Sequence, residues 1–321
     1  MEIKDSHGRS FRTLRVSLTD VCNFGCVYCV NGEDKGERNS AGKKEKVILH
    51  YSEITNIILR LHSVLNISTV RLTGGEPTLY KDIVPFIQQL TSQGITNIKM
   101  TTNGFLLKQK AAELYSAGIK EINISLDALD PDVFARISKR NYLTSVLDGI
   151  EAALRSGISV KLNAVIMRGI NEQEVLSLLE YAMEKNIQLR FLELMRMGHF
   201  FSHNFEQYYF SMKEIVDCIQ QKYRVKSLSR KPSATAQHWQ LQNGYVFGVI
   251  ANESQPFCSD CDRLRLDSYG NIYGCLSEEK HEFVGDTISD EQLNERLKLA
   301  LTHKQPLKFK GSALKMIAIG G

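Results

Sequence analysis

Six cysteines in two groups of three carry the chemistry of this 321-residue chain. The first group is Cys22, Cys26 and Cys29, in C-x3-C-x2-C spacing, directly after an apolar run that reads as a strand. Three thiolates on one tight loop can hold three irons of a 4Fe–4S cluster and leave the fourth iron without a protein ligand. An open iron can bind a small molecule and pass it an electron, whereas a structural site closes that position. Zinc fits poorly, because it favours four protein ligands in paired C-x2-C form and no fourth ligand is near. The second group, Cys258, Cys261 and Cys275, is spaced C-x2-C-x13-C. By itself it is a zinc-ribbon candidate that lacks a ligand. Beside the first triad it reads better as a second 4Fe–4S cluster with its own open iron.

Two arginines extend the second group. Arg263 and Arg265 alternate with Leu264 and Leu266, which is strand periodicity. Ser268-Tyr269-Gly270 reads as a three-residue hairpin loop, with glycine supplying positive φ. Pairing Asp267 with Asn271 then sets Arg265 opposite Tyr273 and Arg263 opposite Cys275. Both guanidiniums would share a face with a cluster ligand, and guanidinium forks suit phosphate oxygens. Without that cysteine, two solvent-facing arginines would be the plainer reading.

A larger frame must hold these groups. Short β-branched runs at 13–18, 68–72, 97–101, 121–126, 159–165 and 188–193 alternate with amphipathic stretches at 52–65, 81–93, 107–117, 131–139, 145–156 and 172–186. This alternation predicts an α/β fold, a parallel sheet with helices on its outer face, either doubly wound or an incomplete barrel. The first cysteine loop, Gly74-Gly75-Glu76-Pro77, Thr102-Asn103-Gly104, Ser125 and Met195 all fall at carboxyl ends of strands, where such folds place their sites. A division into 1–225 and 226–321 follows from the change of pattern after residue 200. Phe200, Phe201, Phe205, Tyr208, Tyr209 and Phe210 read as a packing patch, and His199 and His203 as surface residues. Gly32–Glu45 reads as a mobile surface loop.

Composition narrows the class. Charged residues are 24% and hydrophobic residues 43%, which suits a folded soluble chain. A net charge of +4 is too mild to argue for nucleic acid. No apolar run reaches membrane-spanning length and Met1-Glu2-Ile3-Lys4-Asp5 is no signal peptide, so a cytoplasmic protein without membrane or nucleic-acid partner is expected. In that reducing setting cysteines suggest metal, not disulfides. The seventh, Cys218, lies beside Ile215 and Ile219 on a helix opened by a Ser211-x-x-Glu214 capping box and reads as a small buried hydrophobe.

The first triad, with Tyr28 before its last cysteine, resembles the radical S-adenosylmethionine (SAM) enzymes. Both triads together resemble the molybdenum cofactor biosynthesis protein A family, the GTP 3′,8-cyclases. Further matching pieces run almost end to end: Leu14–Asp20, Arg71–Pro77, Thr101–Gly104, Ser125–Asp127, Lys161–Val165, Arg190–Met195 and the terminal Gly320-Gly321. The resemblance implies a partial (β/α)6 barrel of the radical SAM type with a smaller C-terminal α+β iron–sulfur region. It implies two 4Fe–4S clusters and SAM, cleaved to a 5′-deoxyadenosyl radical that takes hydrogen from C3′ of GTP, so that the ribose closes onto C8 of guanine. It places SAM at Tyr28, Gly75, Ser125 and Met195, and GTP at Arg15, Arg71, Thr102, Lys161, Arg263 and Arg265. It brings the Gly320-Gly321 tail into the active site. The implied partners are an electron donor such as flavodoxin or ferredoxin and cyclic pyranopterin monophosphate synthase, which acts next.

Two stretches depart from that family: Val30-Asn31 stands where Met-Pro is usual, and Arg196–Phe200 replaces a Val-Gly-Asn loop. A paralogue acting on another nucleotide, a two-cluster maturase acting on a peptide, and a non-catalytic metal scaffold are the rival readings. A maturase with two auxiliary clusters would carry about twelve irons and the cyclase about eight. A scaffold would not cleave SAM.

Overall fold

The computed structural model describes residues 3–30, 48–285 and 288–319. The loop expected at Gly32–Glu45, Asn31 and the Gly320-Gly321 tail end lie outside the described residues. Six strands alternate with helices: β1 (Thr13–Ser17), β2 (Thr69–Thr73), β3 (Ile98–Thr102), β4 (Glu121–Ser125), β5 (Ser159–Ile166) and β6 (Gln188–Glu193). The helices are α1 (Val27–Val30), α2 (Tyr51–Leu65), α3 (Ile83–Ser92), α4 (Leu107–Ala117), α5 (Pro131–Ser138), α6 (Leu143–Arg155) and α7 (Glu174–Glu184). The strands lie within one residue or so of the sequence expectation at each end, and β6 coincides with it.

Local chemistry accounts for these boundaries. In α2, Ile54, Ile57, Ile58, Leu61 and Leu65 repeat at helical spacing and are all buried. A capping box joins His50 to Glu53 at its start, and Asn66 closes it in the left-handed region with φ 53°. In β1, Leu14 and Val16 are fully buried against the helical layer, while Thr13 and Arg15 point to the opposite face. Each of the other parallel strands also turns alternate residues inward, and these residues line one common cavity. The sheet therefore curls into a partial barrel, helices outside.

The remaining elements are α8 (Phe205–Tyr208), α9 (Met212–Gln220), β7 (Val225–Ser227), β8 (Gln237–Leu241), β9 (Val246–Ile250), β10 (Arg263–Leu266), β11 (Asn271–Tyr273), β12 (Glu282–Phe283), α10 (Asp290–Thr302) and α11 (Met316–Ile319). Their strands join the same sheet, whose order is β12-β11-β10-β1-β2-β3-β4-β5-β6-β9-β8-β7. β9 runs parallel to β6 and β10 parallel to β1. The region 226–321 thus extends the barrel's sheet at both edges. The hairpin forms as read from sequence: Arg265 faces Tyr273, Asp267 N donates to the Asn271 carbonyl at 3.0 Å, and Gly270 has φ 83°. The ladder ends at Arg265–Tyr273, two residues before Arg263 and Cys275 would pair.

Phe200 and Phe205 pack with Ile137, Met167 and Leu194, as a packing patch should, and Phe201 stays exposed. Cys218 is partly buried against the main core beside Ile215 and Ile219. His203 is exposed, while His199 is half-buried with its ring 4.0 Å from that of Phe200. No described helix is long and apolar enough to cross a membrane.

Candidate active site

The two cysteine triads line one cavity of about 900 Å³ from opposite ends. Topology sets the opposition. Cys22, Cys26 and Cys29 follow the carboxyl end of β1. Cys258 and Cys261 precede β10, which is parallel to β1, and Cys275 follows the antiparallel β11. The second triad therefore sits at the amino ends of the strands. A five-residue strand separates the two ends by about 16 Å.

At the carboxyl end, backbone contacts hold the first cysteine loop. Gly75 N donates to the Thr19 carbonyl at 2.6 Å and Glu76 N to the Val21 carbonyl at 2.8 Å. A glycine at position 75 lets a ligand approach the backbone closely. The structure supplies a reason inside the protein: a Cβ there would stand 2.2 Å from the Val21 carbonyl oxygen. The buried Glu76 carboxylate accepts from Thr78 N at 3.0 Å, Thr102 Oγ1 at 2.6 Å and Asn103 N at 2.7 Å, tying the loops after β2 and β3 together. Asn103 then donates to Asn23 Oδ1 at 2.8 Å within the cysteine loop. Thr102 lines the cavity, but its hydroxyl already donates to Glu76 and accepts from Gly104 N. Tyr28 donates its hydroxyl to Asp127 Oδ2 at 2.9 Å, and Asp127 Oδ1 accepts from Val165 N at 2.8 Å. Burial pushes the Asp127 carboxyl up to about 6. Ser125 and Met195 line the same end, and the Met195 thioether meets Asn252 Nδ2.

The donor set suits an iron–sulfur centre. It is all thiol and soft. Burial pushes Cys22 up to about 11 and Cys29 up to about 12, with Cys29 further raised by Cys22. Thiols this crowded ionise readily only when a cationic metal centre is bound. Among the described residues no three His, Cys, Asp or Glu side chains converge on a single-ion site.

At the other end the register builds a belt of charge. Arg15 lies beside Arg265 on β10 and Arg71 on β2, Arg71 beside Lys99 on β3, and Lys99 beside Glu121 on β4. Burial, then Arg265, Arg71, Arg263 and Arg190, hold the Arg15 guanidinium far below its usual range. Like charges side by side across strands destabilise a sheet unless an anion joins them. Glu121 meets Lys161 at 2.8 Å, Lys99 at 3.1 Å and Arg71 at 3.6 Å. Arg71 Nη1, Thr101 Oγ1 and Asn123 Oδ1 line the cavity, buried without a hydrogen-bond partner among the described residues. A polyanion carrying further hydrogen-bonding groups matches this lining.

Glu121 carries a pH prediction. Burial raises its pKa, but Lys161 and Lys99 outweigh burial and bring it down to about 2. A carboxylate depressed in the folded state stabilises fully above its unfolded value and loses that contribution as pH falls toward the folded value. Glu121→Gln is therefore expected to cost the ligand-free chain about 1 kcal/mol at pH 7, solvent still screening the partly exposed lysines. Urea unfolding should show that penalty shrinking between pH 5 and pH 3.

The structure brings every described candidate to this cavity: the six cysteines, Tyr28, Gly75, Ser125, Met195, Arg15, Arg71, Thr102, Lys161, Arg263 and Arg265. Sequence reasoning assigned no role to Glu76, Asp127 or Arg190, although each lies in a quoted motif. Arg190 donates to Asn163 Oδ1 at 2.7 Å. Glu121 and Lys304 carried no signal at all. The divergent loop 196–200 seats the C-terminal segment: Ser312 N donates to the Arg196 carbonyl at 3.0 Å and Gly198 N to the Ser312 carbonyl at 2.9 Å. That segment then places Met316 and Ile317 in the cavity wall, and Arg265 Nη1 donates to the Ile319 carbonyl at 3.3 Å.

Comparison with known proteins gives a consistent picture. The Radical SAM superfamily profile matches residues 16–182, and that of Molybdenum Cofactor Synthesis C matches residues 187–310. A GTP 3′,8-cyclase of Staphylococcus haemolyticus (strain JCSC1435) is 37% identical over 305 residues, spanning 92% of this chain and 89% of the relative. One from Staphylococcus carnosus (strain TM300) is 36% identical, spanning 91% and 88%. Among solved structures, Streptococcus suis SuiB bound to S-adenosylmethionine aligns with TM-score 0.63 at 13% identity, over 93% of this chain and 67% of that one. Native anSMEcpe with bound AdoMet aligns with TM-score 0.63 at 14% identity, over 91% and 82%. Those two alignments speak to fold alone.

Proposed function

The chain belongs to the GTP 3′,8-cyclase family of the radical SAM superfamily, and from that premise we propose that it converts GTP to (8S)-3′,8-cyclo-7,8-dihydroguanosine 5′-triphosphate, the first step of molybdenum cofactor biosynthesis. The arginine belt between two opposed thiol triads carries the reading. A triphosphate brings about three to four negative charges, and converging guanidiniums neutralise them through paired hydrogen bonds.

Cys22, Cys26 and Cys29 would hold a 4Fe–4S cluster with SAM beside Tyr28, Gly75, Ser125 and Met195. Cys258, Cys261 and Cys275 would hold a second cluster near the guanine. When bound, these groups supply one-electron chemistry: cleavage of the sulfonium and removal of a hydrogen atom from the ribose. The protein binds, orients and shields. Arg15, Arg71, Lys161, Arg263 and Arg265 anchor the triphosphate, with Thr102 as a further contact. The span between the ends then fixes the reach of the nucleoside toward the first triad. Glu76 and the Tyr28–Asp127 pair keep the cofactor loop in place. A peptide substrate would leave the belt unmatched, which favours a nucleotide.

Anaerobic incubation with GTP, SAM and dithionite, followed by mass analysis, tests this. The expected outcome is a cyclised nucleotide together with 5′-deoxyadenosine. Formation of 5′-deoxyadenosine with ATP giving the product and GTP giving none would overturn the substrate assignment. An electron donor such as flavodoxin or ferredoxin and the cyclic pyranopterin monophosphate synthase complete the proposed cytoplasmic setting.

The tail belongs to the same proposal. Ile319, the last described residue, is buried with its carbonyl on Arg265 of the belt. Deleting Gly320 and Gly321 is expected to slow cyclisation by about tenfold or more while the chain still binds iron, since lost positioning costs rate and not assembly. Cyclisation at full rate would remove the tail from the mechanism.

A further inference from the structure

We infer that Lys304 is a positioning residue of the second triad, locking its ligand loops and raising the reduction potential of the centre they hold. The inference rests on the reading that Cys258, Cys261 and Cys275 carry a second cluster.

Lys304 follows α10 and is only 6% exposed. An ammonium has three donors. Here Nζ donates to the Arg263 carbonyl at 2.7 Å and the Gly274 carbonyl at 2.8 Å, and stands 3.5 Å from Cys261 Sγ. The two carbonyls belong to the residue two after Cys261 and the residue directly before Cys275. One side chain thus joins both halves of the triad. Gly274 is pressed against α10 so closely that a Cβ would lie 2.1 Å from the Ala300 carbonyl oxygen. Arg9 completes the grip from the opposite end of the chain: its Nη1 donates to the Cys258 carbonyl and, at 3.0 Å, to that of Gln305, the neighbour of Lys304.

The charge has a second consequence. A buried ammonium is costly unless an anion answers it. Among the described residues no carboxylate pairs with Lys304, and its two carbonyl partners are neutral. The sulfur of Cys261 is the group beside it that becomes anionic on binding metal. A fixed cation and an N–H···S contact favour the more negative, reduced form of a thiolate-bound centre, which raises its potential. Arg263 Nη1, 3.6 Å from the same sulfur, acts in the same direction.

The test is a redox titration of the full chain with both centres reconstituted, followed by electron paramagnetic resonance. The second centre's signal is assigned by its disappearance in Cys258→Ser. Lys304→Gln, which removes the charge, is expected to move that midpoint to more negative values and alter its g-values, with the first centre's midpoint unmoved. Lys304→Arg is expected to restore the wild-type midpoint. An unmoved midpoint in Lys304→Gln overturns the inference while leaving the second cluster in place. If Lys304→Gln loses the second centre, Lys304→Arg decides: recovery of a native midpoint supports the role of charge, and loss in both overturns it. A wild-type chain with no signal removed by Cys258→Ser overturns the two-cluster reading itself, and this inference with it.

Discussion

The Cys258→Ser chain is expected to keep reductive cleavage of SAM to 5′-deoxyadenosine and to lose the cyclised nucleotide by about a hundredfold or more. Iron should fall from about eight to about four per chain. The physical reason is the separation of the two ends of the cavity. Cys258 precedes β10 at the amino ends of the strands, whereas Cys22, Cys26 and Cys29 sit beyond the carboxyl end of β1. Among the described residues, no contact that holds the first loop runs through Cys258: that loop is tied to Gly75, Glu76 and Asn103. Removing one of three thiolates therefore disables one end while the other stays assembled. The nucleotide would keep its phosphate contacts but lose the anchor near its base, and misplacement of a reacting carbon by an ångström is enough to cost most of the rate. Iron analysis, 5′-deoxyadenosine quantification and nucleotide mass analysis on one anaerobic sample check all three parts. Wild-type yield of cyclised nucleotide from this variant would sink the role of the second triad.

Gly75→Ala is expected to do the reverse. Its methyl group would stand 2.2 Å from the Val21 carbonyl oxygen and 3.0 Å from Cys22 N. Both are backbone atoms, so no side-chain rotation relieves the clash. The cysteine loop must shift away, at a cost of about 3 kcal/mol. The shift also strips the hydrogen bonds that Gly75 N and Glu76 N make to Thr19 and Val21. The first triad should then bind iron poorly, leaving about four irons per chain at the second triad. Formation of 5′-deoxyadenosine should fall with it, while far-ultraviolet circular dichroism stays close to wild type. Full iron content in this variant would show that the loop tolerates displacement.

Much of this was legible in residue order. The C-x3-C-x2-C spacing names a soft three-thiolate centre before any fold is known, because ligand type and number restrict the metal. The six βα units were equally plain, since β-branched runs and amphipathic helices differ in period. Their order along the chain also places Gly75, Ser125 and Met195 at carboxyl ends. The hairpin at residues 263–273 could be read because its partners are close in sequence and Gly270 marks the turn.

Other features needed the folded chain. Glu121 appears as a strand-start acid until β4 brings it to Lys99, Lys161 and Arg71. Lys304 looks like one of several tail lysines until α10 carries it to Cys261, 43 residues earlier. The divergent loop after Met195 is only a departure from the family pattern in residue order, and the fold makes it the seat of the C-terminal segment.

The division follows from the range of the forces involved. Ligand spacing, helix periodicity and turn chemistry act over a few residues, so they are written in local order and determine the cysteine triads and the βα frame. Which charges share a layer depends on register between strands that are 50 or more residues apart, as Arg15 is from Arg71 and Arg265. Register is settled only when the hydrophobic faces of all the strands are buried together. The arginine belt, and the placing of the two triads at opposite ends of one cavity, are decisions of the tertiary structure.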